Sequence, residues 1–232
     1  MMADNSALKA LEPLKIPSVA DTIFEELHQQ ILSLELPPGT KISEADVAKA
    51  LGVSRQPVRD AFFRLSQLGF LLIRPQRATV ISKISKAAVL RARFVRIALE
   101  VACWTAAMKV IVEDQFDELD DLLKEQKAAI AQNDQKLFHA LDDDLHRRIC
   151  KIAGHEYVWA LIKEQKAHMD RVRFISLTIG AAQRAYDDHV ELLAALRSGN
   201  RAKLEETLNE HLGRIERILV QISAEKPEYF QD

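Results

Sequence analysis

One short stretch decides the fold: residues 51–61, which have the sequence LGVSRQPVRDA. Gly52 ends the helix that precedes it, and Ser54 can cap a helix running from Arg55 to about Leu68. The preceding helix covers about 44–51 and has Ser43 as its cap. Two short helices joined by a tight turn predict a helix-turn-helix, whose second helix enters the major groove of DNA with its N-terminal residues.

The flanking segments extend this unit. Two short apolar runs, Phe70–Ile73 and Thr79–Ile81, are split by a polar segment and predict a two-stranded hairpin. Upstream, Ser18 can cap a helix that continues to about Leu34, and Lys41–Ile42 can form a short strand. We therefore expect a winged helix-turn-helix domain. Its predicted bounds are 18–84, after a mobile arm over residues 1–17.

Charge is concentrated in the same region. Residues 54–86 hold seven Lys/Arg against one Asp, whereas residues 1–53 and 87–232 each have a net charge of -4. A basic island between acidic flanks favours contact with a polyanion, although a solvated basic surface gives the same pattern. Arginine suits bidentate contact with guanine, and hairpin arginines can reach phosphates or a minor groove. The predicted DNA-binding residues are Ser54, Arg55, Gln56, Arg59, Arg74 and Arg77.

From residue 85 onward the pattern is helical. Low aromatic content (6%) and only seven Gly and seven Pro favour a mainly α fold, and two isolated cysteines favour a reducing cytoplasm. No apolar stretch is long enough to span a bilayer, so we expect no membrane partner. The predicted second domain is an all-α six-helix bundle over 85–226, followed by a tail over 227–232. Its helices are expected at about 86–111, 114–132, 134–153, 155–178, 181–198 and 201–224.

Four residues of this bundle form a candidate metal site. Asp142 and His146 are spaced i, i+4, while His189 and His211 each interrupt an apolar stripe and must find a partner inside the core. Imidazoles with one carboxylate suit zinc, nickel, manganese or iron. Hydrogen-bonded core histidines are the plainer interpretation, and the helical period alone leaves His139 or Asp143 equally possible as ligands.

Arg96 also lies on an apolar stripe, so its guanidinium is expected to face inward and to need an anion. That anion is either an effector or a carboxylate of the protein. Arg171 and Arg173 are further candidates, although pairing with Asp170 on the helix surface is the simpler expectation for both.

These motifs resemble the GntR family of bacterial transcription regulators. The resemblance rests on residues 51–61 together with Leu65, Gly69 and Leu71–Ile73. It implies that Arg55 and Arg59 contact operator DNA.

The helical part resembles the FCD sensor domain of the FadR subfamily, in its shorter VanR-like form. Metal-binding members carry Asp-x3-His and then two histidines about 22 residues apart. The resemblance thus selects, as ligands of a divalent ion such as zinc, nickel or manganese, Asp142, His146, His189 and His211. Arg96 with Leu99–Glu100 matches the family segment whose arginine approaches a carboxylate effector.

The expected function is a metabolite-responsive repressor: a cytoplasmic homodimer that binds a pseudo-palindromic operator and a small carboxylate or hydroxy-acid effector. One alternative is a regulator whose metal is purely structural. A metal-dependent enzyme is a weaker alternative, since the sequence shows no general base beside the site, no phosphate loop and no nucleophile elbow.

Overall fold

A computed structural model describes residues 17–74, 78–176 and 179–231. The N-terminal part is a three-helix unit with a small antiparallel sheet, in which β3 is the central strand. Its elements are α1 (Val19–Leu32), β1 (Lys41–Ile42), α2 (Glu44–Leu51), α3 (Arg55–Gln67), β2 (Leu71–Leu72) and β3 (Thr79–Ile81). The predicted mobile arm falls almost wholly on residues 1–16, outside the described residues.

Local signals place most of these helix ends. Ser18 forms a capping box with Asp21 at the start of α1, and Ser43 accepts a hydrogen bond from the backbone of Asp46 at the start of α2. Gly52 ends α2 with a φ of 66°, a conformation that glycine adopts without strain. Ser54 occupies the N-cap position of α3, but its hydroxyl makes no capping hydrogen bond. Its side chain therefore stays available at the helix start.

The helical part begins with α4 and contains two predicted helices that the structure interrupts. The predicted helix 155–178 divides at Lys166, and the predicted helix 201–224 has an irregularity at Arg214. The observed helices are α4 (Lys86–Ala107), α5 (Glu113–Ala131), α6 (Gln135–Ile152), α7 (Glu156–Gln165), α8 (Ala167–Ser176), α9 (Ile179–Arg197), α10 (Arg201–Gly213) and α11 (Ile215–Glu225). The mainly α fold with an N-terminal winged helix-turn-helix is confirmed.

Backbone hydrogen bonds continue across both interruptions. The N–H of Arg214 donates to Glu210 and its carbonyl accepts from Ile218, and Lys166 is joined in the same way to Ile162 and Asp170. The side chain of Lys166 is buried and bonded to two carboxylates, and the next residue, Ala167, lies in the core of the winged-helix domain. The sequence has neither Gly nor Pro at Lys166 to indicate an interruption there.

The two parts meet along α8 and the linker. The linker strand β4 (Ile84–Ser85) pairs in parallel with β5 (Phe230–Gln231), so residues predicted as a tail join the fold. Arg171 donates to the carbonyl of Ser82 over 2.9 Å, and the ring of His168 stacks on Phe70. His168 is therefore an interdomain residue rather than a surface residue. The winged-helix domain is docked against α8.

None of the helices within the described residues is long and apolar enough to cross a membrane.

Candidate metal centre and nucleic-acid interface

The start of α3 presents the predicted DNA-reading residues to solvent. Ser54, Arg55, Gln56 and Arg59 are all exposed, whereas the opposite face of α3 is buried in the domain core. Gln56 donates to Asp60 over 3.0 Å, and Arg59 lies 3.4 Å from Glu44 on α2. These weak exposed contacts hold the side chains in place and can be exchanged for DNA contacts.

The wing is only partly described. Arg74 is exposed beyond β2, whereas Arg77 lies outside the described residues. Arg74 shares a cavity of about 640 Å³ with Lys41 and Lys83. Three positive side chains therefore line one cavity of the domain that carries the recognition helix α3, and one of them, Lys41, was not predicted as a DNA-binding residue.

The four predicted metal ligands come together. Asp142 and His146 lie on α6, His189 on α9 and His211 on α10, and one ligand atom of each lies within 4.8 Å of the other three. Asp142, His146 and His189 are fully buried.

The alternative ligands form a separate cluster with Asp170. Lys166 Nζ lies 2.8 Å from Asp143 Oδ2 and 2.7 Å from Asp170 Oδ2, so an ammonium group already compensates these carboxylates. His139 Nε2 faces Asp170 Oδ1 at 3.5 Å. The arrangement is that of a structural ion-pair network, and it favours the other cluster as the metal site.

Neighbouring groups orient the three imidazoles. Gln126 donates to the carbonyl of Leu141 over 3.1 Å, which leaves its Oε1 to accept from His189 Nδ1 at 2.8 Å. His211 Nδ1 lies 2.9 Å from Asp188 Oδ2. His146 Nδ1 contacts Glu100 Oε2 at 2.5 Å without the alignment of a hydrogen bond. In His189 and His211, a hydrogen on Nδ1 leaves Nε2 as the lone-pair nitrogen, which is the arrangement that metal-ligating histidines have.

The inward atoms of this cluster lack hydrogen-bond partners. Nε2 of His146, Nε2 of His189 and Oδ2 of Asp142 are buried without one among the described residues, whereas Oδ1 of Asp142 lies 2.6 Å from the guanidinium of Arg173. Native proteins pair nearly all such atoms, so a cluster of unpaired acceptors facing each other needs a cation or a donor. The donor set of imidazoles and one carboxylate therefore fits a divalent metal ion.

Electrostatics keep these ligands in their metal-binding forms. Burial opposes ionisation of Asp142, but the charge of Arg173 holds the pKa of this carboxyl well below its usual range. Burial lowers the pKa of both His189 and His211, which favours neutral rings. Asp188 has a pKa lowered to about 2 against the effect of burial, because it accepts from His211 and Arg214. A carboxylate with neutral imidazoles is what a cation requires.

Arg96 is buried beside this cluster and has a carboxylate of the protein as a partner. Its Nε donates to Glu100 Oε1 over 2.6 Å, and the other oxygen of Glu100 faces His146. Arg96 Nη2 has no hydrogen-bond partner among the described residues, and Arg96 also lines an adjacent cavity. The ion pair and a ligand contact are therefore compatible.

Two arginines lie elsewhere than expected. Arg171 and Arg173 do not pair with Asp170 on the helix surface: Arg171 is buried against Ser82, and Arg173 Nη2 lies 2.6 Å from Asp142 Oδ1. Long-range packing of α8 places both side chains, and spacing along one helix cannot reveal it. Arg173 consequently joins the metal cluster to the helix that docks the winged-helix domain.

The adjacent cavity has a volume of about 340 Å³. It is lined by five arginines, by His211 of the metal cluster and by apolar side chains of α8, α10 and α11. This size and mixture are typical of a site for a small ligand, and the arginines indicate an anion.

Sequence reasoning missed the residues that orient the ligands. Gln126 could have been found, because it interrupts the buried stripe of Leu119, Leu122 and Leu123 on α5. Asp188 and Arg214 gave no such signal, since both are partly exposed and their pairing joins α9 to the α10–α11 junction.

Fold and site together define a DNA-binding transcriptional regulator with a helical C-terminal domain. The chain belongs to the GntR family: the model of bacterial regulatory proteins of the gntR family matches residues 19–81, and the model of the FCD domain matches residues 92–214.

Two relatives match this chain over most of their own length. The HTH-type transcriptional repressor RspR of Escherichia coli (strain K12) is 34% identical over 215 residues, which are 92% of this chain and 94% of that protein. The gluconate operon transcriptional repressor of Bacillus subtilis is 26% identical over 210 residues, 87% of this chain and 86% of that one. The solved structure of E. coli McbR/YncC has the same fold, with a TM-score of 0.76 at 20% identity over 89% of this chain and 99% of the other.

Proposed function

We propose that this protein is a metabolite-responsive repressor, whose C-terminal domain binds a divalent metal ion and a small carboxylate or hydroxy-acid effector. One observation carries the proposal: a buried set of unpaired imidazole and carboxylate acceptors adjoins an arginine-lined cavity. The same chain carries an exposed recognition helix, and two relatives are named repressors. A protein of this kind works in the bacterial cytoplasm, where the operator is.

The ligands of the metal are Asp142, His146, His189 and His211. Zinc, nickel and manganese all accept imidazole with one carboxylate, and a bound ion of this class supplies a Lewis-acidic centre for a carboxylate or hydroxyl oxygen. Arg96 and Arg173 neutralise the anionic effector, since Arg96 Nη2 and Arg173 Nη1 are buried without a hydrogen-bond partner among the described residues. These two groups distinguish a sensing site from a purely structural metal site.

DNA is bound by the protein as a homodimer. One recognition helix reads only a few base pairs, so two copies related by symmetry bind a pseudo-palindromic operator. Leu90 and Phe94 lie one helical turn apart on α4 and are exposed, Phe94 by 75%. Large exposed apolar side chains in one row favour a protein interface, and α4 follows the linker directly.

Metal content of the purified full-length protein tests the metal site. His189→Gln should lower the bound metal, measured by mass spectrometry after dialysis against trace zinc, nickel or manganese, by at least about tenfold. His155→Gln is the matched control, because His155 is exposed at the N-cap position of α7. This variant should keep the metal content of the wild type. Equal metal content in wild type and His189→Gln, or none in either, would refute the proposed ligand set.

The oligomeric state tests the proposed interface. Phe94→Glu should shift the protein from dimer to monomer in sedimentation velocity at micromolar concentration and weaken operator binding. Tyr157→Glu, at a side chain that is 66% exposed on α7, is the control and should remain dimeric. A wild-type monomer with full operator affinity would contradict the dimer itself.

A further inference from the structure

The arginines around the 340 Å³ cavity fall into two groups. Three of them already face a carboxylate: Arg96 lies 2.6 Å from Glu100, Arg173 lies 2.6 Å from Asp142, and Arg214 lies 2.6 Å from Asp188. The other two, Arg184 on α9 and Arg217 on α11, have no ion-pair partner within the described part of the chain. No Asp or Glu is among the residues that line the cavity. The cavity therefore has uncompensated positive charge at one end.

The unpaired arginines lie at the outer end. Arg184 and Arg217 are exposed, whereas Arg96 is buried and Arg173 is half-buried next to the four candidate metal ligands. The guanidinium of Arg184 lies back over Gly180, where an added Cβ would meet Nη1 at 3.4 Å. The same cavity is also lined by short or apolar side chains, such as Met169, Ala181, Ala185, Leu212 and Ile215.

We propose that Arg184 and Arg217 form an outer anion subsite, and that the effector carries two anionic groups joined by a short carbon chain. One group binds near Arg96, Arg173 and the metal cluster, and the other is bound by the two outer arginines. Guanidinium groups bind carboxylate and phosphate through the same paired N–H donors, so the outer group is either of these. This inference rests on the proposed effector site and specifies the ligand class.

The physical reason is that the free energy of binding an anion differs between the two ends of the cavity. An anion at the inner end competes with Glu100 and Asp142 for arginines that are already paired. At the outer end, an anion meets two cations that nothing else neutralises. A second anionic group therefore adds affinity, because charge-assisted hydrogen bonds are stronger than neutral ones.

Matched ligands test the outer subsite. Metal-loaded full-length protein is titrated calorimetrically with succinate, glutarate and 3-phosphonopropionate, and with the half-amides succinamate and glutaramate. A half-amide keeps the length of its diacid and loses one charge. Each diacid is compared with the half-amide of the same chain length, and the phosphonate is compared with succinamate. We expect at least one doubly charged ligand to bind about tenfold or more tightly than its half-amide. The carboxylate and phosphonate arms show which outer group is preferred.

Variants assign the difference to residues. In Arg184→Gln/Arg217→Gln the preference for the doubly charged ligand should vanish, while affinity for the half-amide stays as in the wild type. Arg201→Gln is the matched control, since Arg201 is exposed on α10, pairs with Glu205 and is not a cavity residue. It should keep the preference.

The outcomes separate this inference from the proposed function. If diacids and half-amides bind with equal affinity, the outer subsite is wrong, but the proposed effector site is not contradicted. A preference that persists in the double variant overturns the assignment to Arg184 and Arg217. If none of these acids binds metal-loaded protein, both the outer subsite and the proposed small-acid effector are wrong.

Discussion

The winged-helix domain and the helical domain treat their polar residues in opposite ways. In the described residues up to Ile81 every buried side chain is apolar, and the charged residues face solvent. The buried polar or charged side chains of the described residues all lie after Ile81 in the chain. They are Ser82, Arg96, Glu100, Gln126, His139, Asp142, His146, Lys166, Asp170, Arg171, His189 and Thr207.

This difference matches what each domain is proposed to recognise. DNA is a large polyanion, and exposed arginines meet it without first being taken out of water. A small ligand must be enclosed, so its recognition groups are buried and each needs a partner of its own. In the first domain, the proposed DNA-binding residues lie outside the core, whereas in the second three of the proposed metal ligands, Asp142, His146 and His189, are themselves buried.

The largest expected effect comes from breaking a buried pair. Glu100→Gln removes the carboxylate between Arg96 and His146 and leaves a buried guanidinium without compensation. We expect the free energy of unfolding, measured by urea denaturation of metal-free protein, to fall by about 3–5 kcal/mol.

The control for this change is an exposed carboxylate of the same domain. Glu118 is 69% exposed and lies 3.7 Å from Arg148, so Glu118→Gln should change stability by less than about 0.5 kcal/mol. A loss below about 1 kcal/mol in Glu100→Gln would mean that the buried pair is not what stabilises Arg96.

An intermediate effect is expected at the recognition helix, in binding and not in stability. Arg55→Ala or Arg59→Ala should weaken binding to an operator selected from random DNA by about 1–3 kcal/mol each, because each removes a side chain that is proposed to contact a base. The unfolding free energy should stay within about 0.5 kcal/mol of the wild type, since both side chains are exposed.

Arg64 provides the internal comparison on the same helix. It faces away from the helix start, pairs with Asp21 at 2.8 Å and lies 4.0 Å above the ring of Phe24. Arg64→Ala should lower stability slightly and leave sequence preference intact. Unchanged operator affinity in the Arg55→Ala/Arg59→Ala double variant would remove this helix from DNA recognition.

The smallest effect is expected at the boundary between the domains and depends on pH. Burial, with Arg171 and Arg91 nearby, lowers the pKa of His168 to about 4, whereas an exposed histidine has a pKa of about 6.5. Between these values the unfolded state binds more protons than the native state, so stability falls as the pH falls from about 6.5 to 4. Above pH 6.5 His168 contributes no such penalty.

Urea midpoints at pH 7 and pH 5 measure this contribution. His168→Gln keeps a polar side chain next to Ser85 but does not titrate, so its loss of stability between the two pH values should be smaller than that of the wild type. Other titrating groups are the same in both proteins and cancel in the comparison. Equal losses would show that His168 does not couple domain docking to pH.

Local signals explain what could be predicted. The caps Ser18 and Ser43 and the turn at Gly52 act through neighbouring backbone, so the winged-helix elements follow from short stretches of sequence. The grouping of Asp142 with His146 also follows from one helical turn. The choice against His139 and Asp143 did not follow from the period, because α6 is buried over a wide face that includes both His139 and Asp142.

Contacts between distant helices explain what could not be predicted. Arg173 on α8 lies 2.6 Å from Asp142 on α6, and the spacing of residues along one helix cannot reveal such a contact. Asp188 and Arg214 pair over 26 positions. Charges that lie close to each other on one helix suggested surface pairs, and tertiary packing gave them other partners.

The pairing of β4 with β5 has a consequence for how the protein is made. The winged-helix domain is complete in the chain by Ile81, but the linker strand at Ile84–Ser85 lacks its partner until Phe230–Gln231 has been synthesised. At about 5–20 residues per second, this leaves a delay of roughly 7–30 seconds. During that time a nascent chain can contain a folded winged-helix domain whose orientation relative to the helical domain is not yet fixed. Polysome-bound chains should therefore bind DNA without responding to any ligand.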